Sequence, residues 1–325
     1  MSTGFQPQLT RYADGITAVD AEYIRPGGAA AHIIEQDHRA AFVDTGTTHS
    51  VPYLLAALDE LGIDRAAVDF IFLTHVHLDH AGGAGALMQA LPNARAVLHP
   101  RGAAHLIDPA KLIAASIEVY GEALYRRLYG ELVPLPKERV LVTHDLERLS
   151  LAGRQFEFVH TPGHALHHHA IVDLQHSGIF TGDTFGLSYR EMDTAKGAFV
   201  LPATPPSQFD PEQLLHSVDR LAAYAPRYLY LMHYGRVTDV PRLAQDLKHQ
   251  IREFARIALE HADSSDPASA IGSALRELWR DLARRHGCDF TDAGFDALLD
   301  KDVNLNVQGL IVWLERRRKA QGAAR

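Results

Sequence analysis

Residues 70–83 read FIFLTHVHLDHAGG, and this stretch constrains the fold of the chain more than any other. An apolar run of aromatic and branched side chains ends at Thr74. Six residues then supply three imidazoles and one carboxylate, from His75, His77, Asp79 and His80. On an extended chain, side chains two residues apart project to the same side, so His75 and His77 point together. Asp79 and His80 follow where the chain turns toward a helix, and the small Ala81, Gly82 and Gly83 let the backbone come close to whatever is held there. Three nitrogen donors and one oxygen donor suit zinc, iron or manganese. Such a site at a strand end needs a rigid sheet behind it and further donors from other strand ends.

Those donors are present. HTPGHALHHH (160–169) follows the apolar run Phe156 to Val159 and puts His164 in a Pro-Gly turn. IFTGDT (179–184) ends a strand-like run with Asp183, and LYLMHYG (229–235) ends another with His233. Each lies at a predicted strand terminus, where loops converge on one edge of a core.

The other apolar runs are Gly15 to Val19, His32 to Ile34, Ala41 to Val43, Ala96 to Leu98, Val140 to Val142, Ala170 to Val172, Gly178 to Phe180 and Tyr228 to Leu231. Glycine, proline and aspartate punctuate them, as expected of strands. Helical patterns lie between, at Val51 to Leu61, Gly83 to Ala90 and Pro211 to Tyr224. The two similar halves predict an α/β layered fold with two sheets face to face and helices outside. From Lys111 to Leu128 a helical stripe (Ile113, Ile117, Tyr120, Leu124, Leu128) interrupts the rhythm and reads as a lid. Beyond Pro241 the pattern is helical, with stripes at Leu243, Leu247, Ile251, Phe254 and at Ile271, Leu275, Leu278, Leu282. SSDP (264–267) separates two helices there, with Ser265 or Asp266 as the cap.

Composition narrows the function. A net charge of −8 gives no global support for gripping a polyanionic backbone, so no nucleic-acid partner is expected. The single cysteine, Cys288, cannot form an intramolecular disulfide, and the N-terminus lacks a basic-then-apolar leader, which predicts a cytoplasmic protein. No apolar run approaches the roughly 20 residues that span a bilayer, so no membrane partner is expected either.

The order HxHxDH, a later His, an Asp and a final His resembles the metallo-β-lactamase fold superfamily over roughly residues 15–240, in its glyoxalase II and lactonase-like branch. The resemblance implies an αββα four-layer sandwich of two mixed sheets flanked by helices. The catalytic domain would span 1–241, with a helical insertion at about 103–135, and an α-helical region would follow over 242–325. It also implies two divalent metal ions, zinc foremost, with iron or manganese as the other metals suited to the set. His75, His77 and His164 would bind the first ion and Asp79, His80 and His233 the second, with Asp183 bridging. Asp44 of AFVDTG would stand behind the ligands, and His168 would orient one of them through a ring nitrogen.

The implied reaction is hydrolysis by a metal-bridging hydroxide, with Asp79 orienting it and carrying a proton to the leaving group. Within the superfamily, flavodiiron proteins replace the second His of the cluster by Glu, whereas His77 is retained here. Lactonases place a Tyr three residues after the bridging Asp; that position is Gly186, and the nearest tyrosine is Tyr189. Persulfide dioxygenases share the spacing of 19 between His164 and Asp183 but not the segment that follows. A small ester-like substrate, a thioester or lactone, is therefore expected, with Tyr189 and Arg190 as substrate contacts. The alternative is an iron-dependent oxygen-binding or redox protein on the same fold. Trp279, Leu310 and Trp313 are candidates to bury the C-terminal helices against the core or in a homodimer.

Overall fold

The apolar runs become the strands of two mixed sheets. The computed structural model describes residues 5–205 and 208–323, which divide into two compact units. The first takes the described residues up to His160 together with His167–Gly182 and Tyr228–Arg236.

Its seven-stranded sheet runs in sequence order: β1 (Leu9–Arg11), β2 (Ile16–Asp20), β3 (Ala30–Gln36), β4 (Arg39–Val43), β5 (Val68–Phe72), β6 (Arg95–Leu98) and β7 (Val140–Val142). Neighbours are antiparallel through β4 and parallel from β4 to β7. Parallel neighbours need crossovers, which are helical here: α1 (Val51–Leu61); then α2 (Leu78–Ala81) and α3 (Ala84–Ala90); then α4 (Pro100–Ile107), α5 (Ala110–Tyr120) and α6 (Glu122–Tyr129). The six-stranded sheet holds β8 (Glu147–Leu151), β9 (Arg154–His160), β10 (His169–Asp173), β11 (Gly178–Phe180), β12 (Tyr228–Leu231) and β13 (Gly235–Val237), again in sequence order across the sheet. Its β11–β12 pair is parallel.

Strand periodicity sorts the core into layers. Along β4, Ala40 and Phe42 join a cluster with Leu54, Leu58, Leu87 and Met88 of the helices. The alternate residues Ala41 and Val43 join Phe72, Phe156, Phe158 and Phe180 between the two sheets. Phe72 meets Phe156 and Phe158 at ring separations of 5.5 and 5.3 Å. Each such buried ring contributes about 1.5–3 kcal/mol. Two mixed sheets flanked by helices, with further helices at the C-terminal end, make the α/β sandwich that the sequence led us to expect.

One expected element differs. The stripe from Lys111 to Leu128 is two helices, α5 and α6, because Gly121 between them has φ 75° and ψ 150°, a conformation in which a helix cannot continue.

The second unit comprises Thr161–Leu166, the described residues of Asp183–Arg227, and the chain from Val237 onward. Its helices are α7 (Pro211–Ala222), α8 (Val240–Glu260), α9 (Pro267–His286) and α10 (Asp292–Ala323). Asp266 caps α9 by accepting from the Ser269 amide at 3.1 Å. Trp279 and Leu310 are fully buried in this unit, and Trp313 stacks edge-on to Phe209. The Trp279 indole donates to Gln250 Oε1 at 3.0 Å, and the Gln250 amide donates to the Val200 carbonyl at 2.8 Å. Among the described residues, no helix is long and apolar enough to cross a membrane.

Candidate metal centre

β5 is buried at its end, and the chain leaves it through Leu73 and a bend at Thr74 before α2 begins. As the two-residue spacing demands, the imidazoles of His75 and His77 meet, with Nε2 of the first 2.9 Å from Nδ1 of the second. His77 is the N-cap of α2, whose single turn carries Asp79 and His80. That turn swings the His80 ring to 4.1 Å from His75. His233 follows β12 and reaches the same place, its ring 5.3 Å from His80 and its Nε2 3.5 Å from Asp79 Oδ2. The donor atoms of Asp79, His80 and His233 all lie within 4.8 Å of one another.

Close approach of backbone makes this possible. A Cβ on Gly83 would meet the carbonyl oxygens of Thr47 and Thr45 at 2.7 and 2.9 Å, so only glycine lets the helix start there. Asp44, at the end of β4, accepts from the Thr74 amide and hydroxyl at 2.8 Å each and receives the His80 Nδ1 proton at 2.9 Å. A carboxylate and a carbonyl oxygen can only accept, so the ring nitrogen facing either one must donate. His80 Nδ1 therefore donates to Asp44, and His233 Nδ1 donates to the Gly28 carbonyl at 2.8 Å. In both rings the lone pair is left on Nε2, the state a metal ligand requires. The donor set of this unit thus fits a divalent ion by chemistry and by tautomer.

The neighbouring histidines differ in what they touch. His168 packs parallel to His75 at 4.8 Å, and its Nε2 would lie 2.5 Å from a Cβ on Gly182. His169 is fully buried and donates to the Leu73 carbonyl at 2.8 Å; burial, then the nearby His99, lowers its pKa to about 3, so it is neutral. His99 and His160 stack on each other at 4.0 Å, and burial lowers the His99 pKa to about 3.

The second unit holds the other two expected ligands. His164, on the short link between β9 and β10, donates from Nδ1 to the Ala203 carbonyl at 3.1 Å, and its Nε2 lies 3.4 Å from Asp183 Oδ2. Gly163 before it has φ 124°, and a Cβ there would strike the Leu214 backbone at 2.2 Å, so glycine is obligatory in this turn. Tyr189 is buried, with its hydroxyl donating to the Asp302 carboxylate at 3.2 Å. Arg190 folds back onto the Ser188 carbonyl at 2.7 Å and pairs with Asp193 at 3.2 Å. The carbonyls of Gly28 and Ala203, which set two histidine tautomers, have no signature in sequence, since every residue carries one.

The metallo-beta-lactamase superfamily profile matches residues 24–233. The chain belongs to that superfamily. It is 27% identical over 256 residues to the metallo-beta-lactamase fold-containing protein ST1585 of Sulfurisphaera tokodaii, a match covering 78% of this chain and 88% of the relative. It is 29% identical over 153 residues to a hydroxyacylglutathione hydrolase of Aeromonas hydrophila, covering 47% of this chain and 44% of the relative. Among solved structures, the archaeal metallo-beta-lactamase superfamily protein ST1585 from Sulfolobus tokodaii superposes with a TM-score of 0.64 at 22% identity, over 92% of this chain and 99% of that one. That likeness establishes the metallo-beta-lactamase sandwich, on which the histidine loops described above sit at strand ends.

Proposed function

We propose that the chain is a metal-dependent hydrolase of a small ester-like substrate, a thioester or a lactone, built on a binuclear centre. The observation that carries this reading is the Asp79, His80 and His233 group, whose two imidazoles have Nε2 lone pairs fixed by Asp44 and by the Gly28 carbonyl. In the reading, His75, His77 and His164 hold one ion, Asp79, His80 and His233 the other, and Asp183 serves both. Support comes also from His75 and His77 in the same unit, whose ring nitrogens meet at 2.9 Å. The relatives named hydroxyacylglutathione hydrolase favour hydrolysis over redox chemistry.

Two divalent ions, when bound, supply a nucleophile at neutral pH and polarise a carbonyl. The side chains do the rest. Asp79 keeps one carboxylate oxygen for coordination and uses the other to take the nucleophile's proton and pass it to the leaving group. Asp44 keeps His80 in its ligating tautomer. In this reading, Tyr189 and Arg190 contact the substrate, and a Tyr189→Phe enzyme with an unchanged KM would remove Tyr189 from that role.

Elemental analysis of the purified chain, joined to a screen of acyl thioesters and lactones, tests the proposal. About two equivalents of zinc or manganese are expected, with turnover lost on chelation and in His75→Ala. Iron as the dominant metal, with oxygen consumption and no ester turnover, would replace hydrolysis by redox function.

A further inference from the structure

The helix α5 is rich in apolar residues and yet buries none of them fully. Its Leu112, Ile113, Ile117 and Tyr120 are half-covered, packed against a buried cluster that includes Tyr23, Leu78, Tyr129 and Met232. Leu78 precedes Asp79 and Met232 precedes His233, so this apolar face is continuous with the residues that flank two of the candidate ligands. The wall between is phenolic. Tyr23 and Tyr129 hydroxyls stand 3.3 Å apart, and their rings stack at 6.2 Å. Burial raises the pKa of both phenols, which keeps them neutral.

A second feature marks the same face. The Tyr125 hydroxyl is buried and has no hydrogen-bond partner among the described residues. Buried hydroxyls are ordinarily satisfied, so a polar atom brought in beside an apolar group would complete it. The α5 face from Ile113 to Tyr120 is about 10 Å long, the reach of a medium-length acyl chain.

We infer that the half-covered face of α5, with the tyrosine wall, is the acyl subsite of the centre, and that the substrate is an ester or thioester of an apolar acyl chain. This rests on the proposed hydrolytic function and narrows its substrate class. An aliphatic chain laid along Ile113 and Ile117 leaves water, and each methylene so buried tightens binding by about three- to fourfold.

Calorimetric titration of the metal-loaded full chain with butyrate and octanoate reads this without turnover, because both carry the same carboxylate. Octanoate is expected to bind at least about tenfold tighter. Ile117→Asn and Ile113→Asn, each at a half-covered position, should bring that ratio toward one while the melting temperature stays close to that of the parent. A parent ratio near one, or a ratio preserved in both variants, overturns the subsite. Hydrolysis of the p-nitrophenyl butyrate and octanoate esters by the same proteins separates the two readings. Chain-length-dependent binding without turnover of any ester sinks the hydrolase and leaves the subsite standing. Turnover indifferent to chain length sinks the subsite alone.

Discussion

Asp44 has φ 56°, a left-handed conformation uncommon outside glycine, and from it the carboxylate reaches both Thr74 and His80. Removing it frees the His80 ring to rotate and to exchange tautomers. Asp44→Ala should therefore weaken metal binding by about 10- to 100-fold, read by competition with a chromophoric chelator; an unchanged affinity would mean that backbone packing alone orients His80. The histidines and aspartates of the proposed centre were legible in the sequence because they fall at the ends of apolar runs. The groups that aim them were not, since Thr74 and two backbone carbonyls carry no pattern. Other buried histidines were equally silent. His32 is fully buried among Phe180 and Tyr230, and burial lowers its pKa to about 3; His169 is lowered to about the same value. Both are neutral in the fold but titrate near 6.5 when unfolded, so the unfolded chain binds more protons between those values. Stability is then complete above about pH 6.5 and falls as the pH drops toward 3, each histidine adding a slope of up to about 1.4 kcal/mol per pH unit. Denaturant unfolding of the metal-free chain from pH 7 to 5 should show this loss, and His32→Leu should shallow it; an identical slope in the variant would exclude His32 as a source.

At the scale of elements, ten strands were readable from apolar runs, whereas β1, β8 and β13 were missed for physical reasons. β8 is an edge strand reading ERLSL, whose exposed alternate side chains are polar, and the short β1 (LTR) and β13 (GRV) each carry an arginine in place of an apolar run. The face of α9 also came out rotated. The fully buried residues are Ile271, Leu275, Trp279 and Ala283, a spacing of four, while Leu278 and Leu282 sit at the flank. A stripe of leucines alone cannot distinguish these two faces when a tryptophan competes for the interior. Asp266 as the α9 cap was readable, because Asp before a proline and a helical period marks an N-terminus; Asp266→Ala should cost about 1 kcal/mol of stability. The break between α5 and α6 is a firmer test of local reasoning. A Cβ at Gly121 would meet nothing within 4 Å, so Gly121→Ala carries only the strain of φ 75° and ψ 150°. That strain is of order 1–3 kcal/mol, and circular dichroism melting should report it as a lower midpoint; a variant as stable as the parent would mean that the link re-forms as a continuous helix.

For the molecule as a whole, the two-sheet sandwich was legible because it is the sum of many strand periods, each independently visible. The division into units was not. The second unit gathers three separated stretches of chain, and no shift in composition marks where the chain passes from one unit to the other. The proposed ligands span the same distance, from His75 to His233, a separation of 158 residues that only the native fold closes. Ions that need all of them bind the folded state and not the unfolded one, and such binding adds stability by mass action, about 2.7 kcal/mol when the free ion stands at 100 times its dissociation constant. For a chain of this size each kilocalorie moves the melting midpoint by about 2–4 °C. Chelation should thus lower the midpoint by about 5–10 °C, and restoring zinc should raise it in proportion to the logarithm of its concentration. His75→Ala, which removes a proposed donor, should melt at the same temperature with and without the ion. If the parent chain melts identically in both conditions while the ions come and go, the donors are not linked through the fold, and the binuclear reading loses its thermodynamic basis.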